Sequence, residues 1–239
     1  MKVSIISILI IGIAVLIATK KQDNPSNEFI NSKKNQKITA KEFVHTIDSL
    51  GYFKYTDVKN LKSLKQNHLE SFSAGGSWGG IWDDETNTPL DYRYYICDGE
   101  YVYEQGGFTG MLDEMKSTFE KIGYKIRIDD HFEEWDHQKE WLNHSITING
   151  NKYVIFKNFK GYGWGEAVQR LAEILNSEFE KQNIKERIYL IHGGNDGSLL
   201  FLDEDLYNYF YKVFTAPQWK PLEVKEWIQV MGVTSMKLD

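Results

Sequence analysis

Residues 146–202 read ITINGNKYVIFKNFKGYGWGEAVQRLAEILNSEFEKQNIKERIYLIHGGNDGSLLFL, and this segment is the most informative for the fold class. Two short apolar runs flank Asn149-Gly150, a pair that favours the type I′ turn of a β-hairpin. Residues 166–182 carry apolar side chains at spacings of three and four, which predicts an amphipathic helix. The runs 187–191 and 199–202 predict two further strands joined by a turn. Hairpins with attached helices indicate an α+β fold with a mainly antiparallel sheet.

An earlier segment of the chain has a similar order. Residues 92–96 and 101–103 are rich in aromatic and β-branched side chains and flank Asp98-Gly99, so they predict a second hairpin. A glycine break, a helix over 108–122 and a strand over 124–128 follow. The turn glycines of the two segments lie 51 residues apart. The shared order raises the hypothesis of a diverged internal ββαβ duplication, which different strand pairing in the two segments would contradict.

Four more helices are predicted from their end signals. Thr39 and Glu42 fit a capping box, in which each side chain bonds the backbone N–H of the other residue. Asp57 and Asp203 are suitable N-caps, and Pro221 is suited to a first helical turn. The predicted helices run from Thr39 to Gly51, from Asp57 to Gly76, over 204–214 and from Pro221 to Met231.

Composition excludes several classes of protein. The 239 residues have a formal net charge of −6, and the first 22 contain three lysines and no acid, so the remainder carries −9. Such a body repels phosphate backbones, and we expect no nucleic-acid partner. The single cysteine, Cys97, excludes an intrachain disulfide framework.

The chain divides into three parts by composition. Residues 1–19 contain an apolar run with one preceding lysine, which is typical of a membrane anchor or a signal segment. Residues 20–38 are polar and predict a flexible tether, and residues 39–239 are expected to form one α+β globular domain. Lysines cluster directly after the apolar run, so the positive-inside rule favours a single-pass protein with its domain in the cytoplasm. The alternative is export after cleavage of the signal.

Three histidines, His131, His137 and His144, lie among carboxylates. Imidazole and carboxylate are zinc ligands, but intervals of six and seven residues match no helical face, and on strands these side chains are expected to mix faces. The sequence therefore predicts no metal site here, and instead a solvated acidic hairpin in which Trp135 and Trp141 pack.

The segment His192-Gly193-Gly194-Asn195-Asp196-Gly197 has two interpretations. Its glycines permit left-handed backbone and close approach of a ligand, and His192, Asn195 and Asp196 offer acid, base or hydrogen-bonding groups. The same residues are also favourable turn formers between two apolar strands. No serine, threonine or cysteine lies in a nucleophile-elbow context, so no catalytic residue is assigned.

Two glycine-rich loops contain aromatic side chains. Tyr162 and Trp164 alternate with glycines before a helix, without either phosphate-binding glycine motif. Trp78 and Trp82 lie in a glycine-rich segment followed by acids. Exposed tryptophan often marks a binding surface, whereas the plainer interpretation is a loop folded back on the core.

These observations favour a membrane-tethered domain that binds another protein, similar in role to an inhibitor or immunity protein, with no cofactor and no enzymatic activity. Its candidate binding residues are Trp78, Trp82, Tyr162, Trp164, His192, Asn195 and Asp196. The alternatives are a hydrolase or transferase centred on residues 192–197, or an exported envelope protein that binds glycans through its tryptophans.

Overall fold

The computed structural model describes residues 38–76, 78–86, 88–139, 141–192 and 196–234. This part of the chain is mixed α+β with antiparallel sheets and eight α-helices. The helices are α1 (Ala40–Ser49), α2 (Val58–Gly75), α3 (Gly99–Tyr103), α4 (Gly107–Glu114), α5 (Lys116–Ile122), α6 (Trp164–Lys181), α7 (Glu204–Val213) and α8 (Val224–Met231), with a 3-10 turn at Tyr52–Tyr55. The strands are β1 (Trp82–Asp83), β2 (Thr88–Pro89), β3 (Tyr94–Asp98), β4 (Ile128–Asp136), β5 (Trp141–Ile148), β6 (Asn151–Phe159), β7 (Arg187–Ile191) and β8 (Asp196–Leu202).

The first three-stranded sheet, in the order β3-β8-β7, lies at the centre of the molecule. β8 pairs antiparallel with both neighbours and places Leu200 between Tyr94 and Tyr189. Successive residues of β8 face opposite sides, since side chains alternate along a strand. Leu199 packs in the cluster with α6, while Leu200 packs in the cluster with α1, α2 and α7. β8 is therefore buried on both faces, whereas Ile96 on the edge strand β3 is exposed.

The second sheet is the meander β4-β5-β6. On β5 the alternation is clear, because Leu142, His144, Ile146 and Ile148 are buried and the residues that alternate with them are half-buried. The buried face packs against α6 in the larger hydrophobic cluster. The Asn149-Gly150 turn joins β5 to β6, and both residues have positive φ, at 51° and 80°. The predicted hairpin is confirmed.

A buried polar network connects the 3-10 turn to the central sheet. The guanidinium of Arg93 is buried and donates to the carbonyl oxygens of Tyr52 at 2.7 Å and Phe201 at 2.6 Å. The Asp91 carboxylate accepts from the Tyr52 hydroxyl at 2.6 Å and from the Arg93 backbone N–H. Each buried polar group thus has partners, which limits the cost of burying it.

Several end signals are confirmed. The Thr39–Glu42 capping box is present, with the Glu42 carboxylate accepting from the Thr39 N–H at 2.7 Å. Gly76 and Gly232 end α2 and α8 in the left-handed conformation. β7 has the predicted bounds, and α7 and α6 differ from prediction by one or two residues. The helix expected over 108–122 is instead two helices, α4 and α5, which divide at Met115.

The hairpin predicted at Asp98-Gly99 is wrong. The Asp98 side chain accepts from the Glu100 N–H at 2.9 Å and so caps α3, which contains the predicted second strand 101–103. β3 pairs with β8 instead of with a neighbour in sequence. The strand expected over 124–128 begins only at Ile128. Because strand pairing differs between the two segments, the internal duplication is contradicted.

The predicted anchor and nearly all of the predicted tether, residues 1–37, lie outside the described residues. None of the helices in the described part of the chain combines the length and the apolar character of a transmembrane helix.

Candidate functional site at the β4–β5 hairpin

β4 is an acidic edge strand. It carries five carboxylates and no lysine or arginine: Asp129, Asp130, Glu133, Glu134 and Asp136. Within the described ranges, β4 pairs on one side only, with β5. Residues 128–132 and Glu134 are exposed. β4 thus presents both a backbone edge and concentrated negative charge to solvent.

The two ends of β4 are fixed by local hydrogen bonds. Asp129 bonds the Arg127 guanidinium and accepts from the Gly150 N–H at 2.6 Å, and these interactions lower the pKa of its carboxyl. Asp136 accepts from the Lys139 N–H at 3.0 Å, which lowers the pKa of Asp136. Asp130 and Glu134, between these ends, share the exposed outer face of the strand with Phe132.

On the inner face of the hairpin, three potential metal ligands converge. Glu133 lies directly opposite His144, and His131 lies two residues before Glu133 on the same face. The Nε2 atoms of His131 and His144 are 2.9 Å apart. One ligand atom from each of His131, Glu133 and His144 lies within 4.8 Å of the others.

Neighbouring groups orient these side chains. The Glu133 carboxylate accepts from the Gly106 N–H at 3.0 Å and from the Trp135 indole N–H at 3.2 Å. The His144 ring is buried and packs edge-on against Phe108. Burial, followed by the proximity of His131, lowers the pKa of His144 to about 3, so this imidazole is neutral at physiological pH.

An aromatic cleft of about 370 Å³ opens at the C-terminal end of β4. Its lining residues are Tyr103, Trp135, Asp136, His137, Trp141, Leu142, Phe159 and Gly161. The Trp141 indole nitrogen is buried and has no hydrogen-bond partner among the described residues. Lys139 lies 4.6 Å from the centre of the Trp141 ring. The cleft therefore offers large apolar surfaces with polar groups at the rim.

Trp78 lies in the smaller core cluster. Its ring is buried against Phe210 and Phe214, and its indole N–H donates to the Trp219 carbonyl oxygen at 2.9 Å. Trp82 is half-buried in β1, 5.6 Å from the ring of Tyr94. The plainer interpretation of this loop, with the indoles packed back on the molecule, fits these positions.

The other predicted binding residues lie away from the β4–β5 hairpin, apart from Tyr162, which is next to the aromatic cleft. Tyr162 follows Gly161 of the cleft lining and is highly exposed, and Trp164 is half-buried at the start of α6. His192 has a positive φ of 60°, and its carbonyl oxygen accepts from the Trp227 indole. Asn195 lies outside the described residues, and Asp196 begins β8 opposite Asp98.

The expectation that these histidines mix faces is wrong for His131 and His144. Only His137 falls in the turn. The pairing of these residues can be worked out from the position of the turn. In an antiparallel hairpin without a bulge, the residue numbers of each directly opposed pair add up to the same value. A turn centred between Gln138 and Lys139 places position 133 opposite 144.

Comparisons of this chain with protein-family models, with curated proteins and with solved structures give no match.

Proposed function

We propose that this chain is a membrane-tethered binding module for a basic, extended protein segment, which it holds along the edge of β4. The observation that carries the proposal is the combination of a nine-residue, largely exposed edge strand with five carboxylates and no lysine or arginine. No cofactor is involved in this recognition.

An edge strand provides the affinity. Its unpaired backbone groups accept an added strand, and the alternating side chains provide specificity. The carboxylates of β4 determine which kind of strand can be added. A second copy of β4 is repelled by like charge, which is how natural edge strands avoid self-association, whereas a lysine-rich strand is attracted. The acidic body extends this attraction to longer range and accelerates encounter with a basic partner.

The aromatic cleft supplies a second contact. Trp135 and Asp136 belong to both the cleft lining and β4, so a segment added to the strand reaches the cleft without a change of direction. Tyr103, Trp141 and Phe159 offer ring faces and edges to an apolar or aromatic side chain. Contacts of this type frequently carry most of the binding energy in an interface.

The tether is the remaining part of the proposal. Its support is the apolar run within residues 1–19 and the lysines that follow it, which favour a domain in the cytoplasm. Protease treatment of intact cells, with mass measurement of the fragments, tests this part alone. A protected domain that retains Met1 supports the tether, and an accessible domain without residues 1–19 contradicts it.

Binding is tested with the detergent-solubilised full chain and a fluorescent peptide of about ten alternating lysine and valine residues, long enough to span a strand. We expect anisotropy to show binding that weakens steeply with added salt, because the contacts are partly exposed ion pairs. A peptide with serine in place of lysine should bind at least about tenfold more weakly.

The matched variants change net charge equally. Asp130→Lys with Glu134→Lys reverses the outer face of β4 and should abolish binding of the basic peptide. Glu120→Lys with Glu180→Lys alters exposed positions near the C-terminal ends of α5 and α6 and should leave binding within about threefold of wild type. Equal losses in both double variants, or equal binding of the serine peptide, would contradict recognition at β4.

A further inference from the structure

The His131–Glu133–His144 group has the chemistry of a transition-metal site, and it stands independently of the proposed peptide binding. All three donor atoms lie on one face of one hairpin, within 4.8 Å of each other. The register that brings them together is continuous from Asp130 to Asp136 on β4, so the positions of the ligands are set by the backbone pairing. A site on paired strands holds its ligands more precisely than a site on a loop.

The contact between the imidazoles is already close to metal-ligand geometry. Two nitrogens bound to one tetrahedral zinc, at the usual zinc–nitrogen distance, are separated by roughly 3.3 Å. The two Nε2 atoms are 2.9 Å apart. They need to separate by only a few tenths of an ångström to admit the ion. The ring that now donates from Nε2 would then carry its proton on Nδ1, so both imidazoles would bind as neutral ligands.

Glu133 is oriented as a third ligand by neighbours that coordination would not displace. The Gly106 N–H and the Trp135 indole N–H each bond a different oxygen of this carboxylate. Each carboxylate oxygen has a second lone pair, so the hydrogen bonds remain possible when one oxygen binds a metal. Outer hydrogen bonds of this kind fix ligand orientation in protein metal sites.

The donor set determines the class of ion. Two imidazoles and a carboxylate suit zinc and related first-row divalent ions, whereas calcium and magnesium prefer oxygen ligands alone. Three protein ligands leave one tetrahedral position for water or a further ligand. His131 is exposed and His144 is buried, so the group is open to solvent on the His131 side.

We propose that His131, Glu133 and His144 form a binding site for Zn²⁺ with one open coordination position. The rival interpretation is a hydrogen-bonded pair of histidines that only packs the hairpin.

The test is a zinc titration of the detergent-solubilised full chain, first treated with a chelator that is then removed, against a competing indicator dye. We expect one Zn²⁺ per chain, no competition from Ca²⁺, and intense visible absorption when Co²⁺ is used in place of zinc, as four-coordinate sites give. Zinc should raise the melting temperature, since it binds only the folded register.

His131→Gln and Glu133→Gln are the variants of choice, because neither side chain is fully buried and both proteins should fold. Each should lower zinc affinity on the order of 100-fold or more and remove the thermal shift. His137→Gln, at an exposed histidine in the turn of the same hairpin, is the control and should retain affinity within about twofold. Wild-type stoichiometry well below one, unchanged affinity in His131→Gln, or an equal loss in His137→Gln would overturn the proposal. The zinc result does not depend on whether the basic peptide binds, because the two tests use different variants and different ligands.

Discussion

The two three-stranded sheets of this molecule differ in what surrounds them. β8, in the middle of the first sheet, is buried on both faces from Leu199 to Leu202. β4, at the edge of the second sheet, is exposed along most of its length and is rich in carboxylates. The first sheet therefore stabilises the fold through apolar burial, and the second presents charge, backbone and imidazole to solvent.

Two histidines extend the comparison. His68 is buried between Tyr52 and Phe53, and its Nε2 has no hydrogen-bond partner among the described residues. His144 is also buried, but its Nε2 meets the Nε2 of His131. One imidazole acts as a core side chain, and the other lies beside two potential metal ligands.

The largest difference between the sheets should appear in unfolding free energy. Leu200→Ala removes a fully buried side chain from the central strand and should cost about 3–5 kcal/mol, through lost burial and the cavity left behind. Phe132→Ala, on the exposed outer face of β4, should cost less than about 1 kcal/mol. Urea unfolding followed by circular dichroism measures both, and similar costs would contradict the contrast between the sheets.

His68 should make stability depend on pH. Burial lowers the pKa of His68 to about 4 from 6.5, so between these values the unfolded chain binds a proton that the folded protein does not. The free energy of unfolding is therefore not reduced by His68 above pH 6.5. It falls as the pH decreases towards 4, by about 3 kcal/mol in total.

The variant His68→Met keeps an adaptable apolar side chain at this position and should flatten the pH profile by that amount. The matched control is His45→Gln, at an exposed histidine of α1, which should leave the slope unchanged. The test is to measure the unfolding free energy of the wild type and of both variants from pH 4 to 7. If the profile of His68→Met runs parallel to that of the wild type, His68 is not the group responsible.

A smaller effect separates Asn149-Gly150 from Asp98-Gly99. Asn149 has a positive φ, and its side chain bonds the Glu178 carboxylate at 2.9 Å and the Arg127 N–H at 2.9 Å. Asn149→Ala should therefore cost about 2 kcal/mol, from strain and lost hydrogen bonds. Asp98→Ala loses one helix cap and should cost about 1 kcal/mol. Chemical denaturation of both variants tests the order, and an equal or larger cost for Asp98→Ala would contradict the different roles of the two residues.

Two local signals predict the structure correctly. The Thr39–Glu42 box needs only neighbouring residues, and the hairpin at Asn149-Gly150 joins strands that adjoin in sequence. The turn predicted at Asp98-Gly99 is wrong because an Asp before a glycine suits a turn and a helix N-cap alike. The partner of β3 is β8, about a hundred residues later, and no local pattern identifies such a partner.

The candidate site forms because the register of β4 and β5 places its side chains together. That register can be predicted from the sequence only when the turn is assigned to the correct residues. A shift of one residue in pairing moves every side chain to the other face. The bulge between Ile128 and Asp130 also changes the register along β4. The acidic character of the hairpin follows from composition alone, whereas the approach of His131 to His144 follows only once the turn is centred between Gln138 and Lys139.

The position of β8 has a consequence for biosynthesis. β3 and β7 have no direct pairing in the central sheet, and both depend on a strand encoded near the end of the described chain. A ribosome must therefore release about a hundred residues after β3 before that strand finds its partner, while the meander β4-β5-β6 already holds all its neighbours. Distant pairing is the slow step of such folds. We therefore expect the acidic hairpin to assemble before the pairing of β3 with β8 during synthesis.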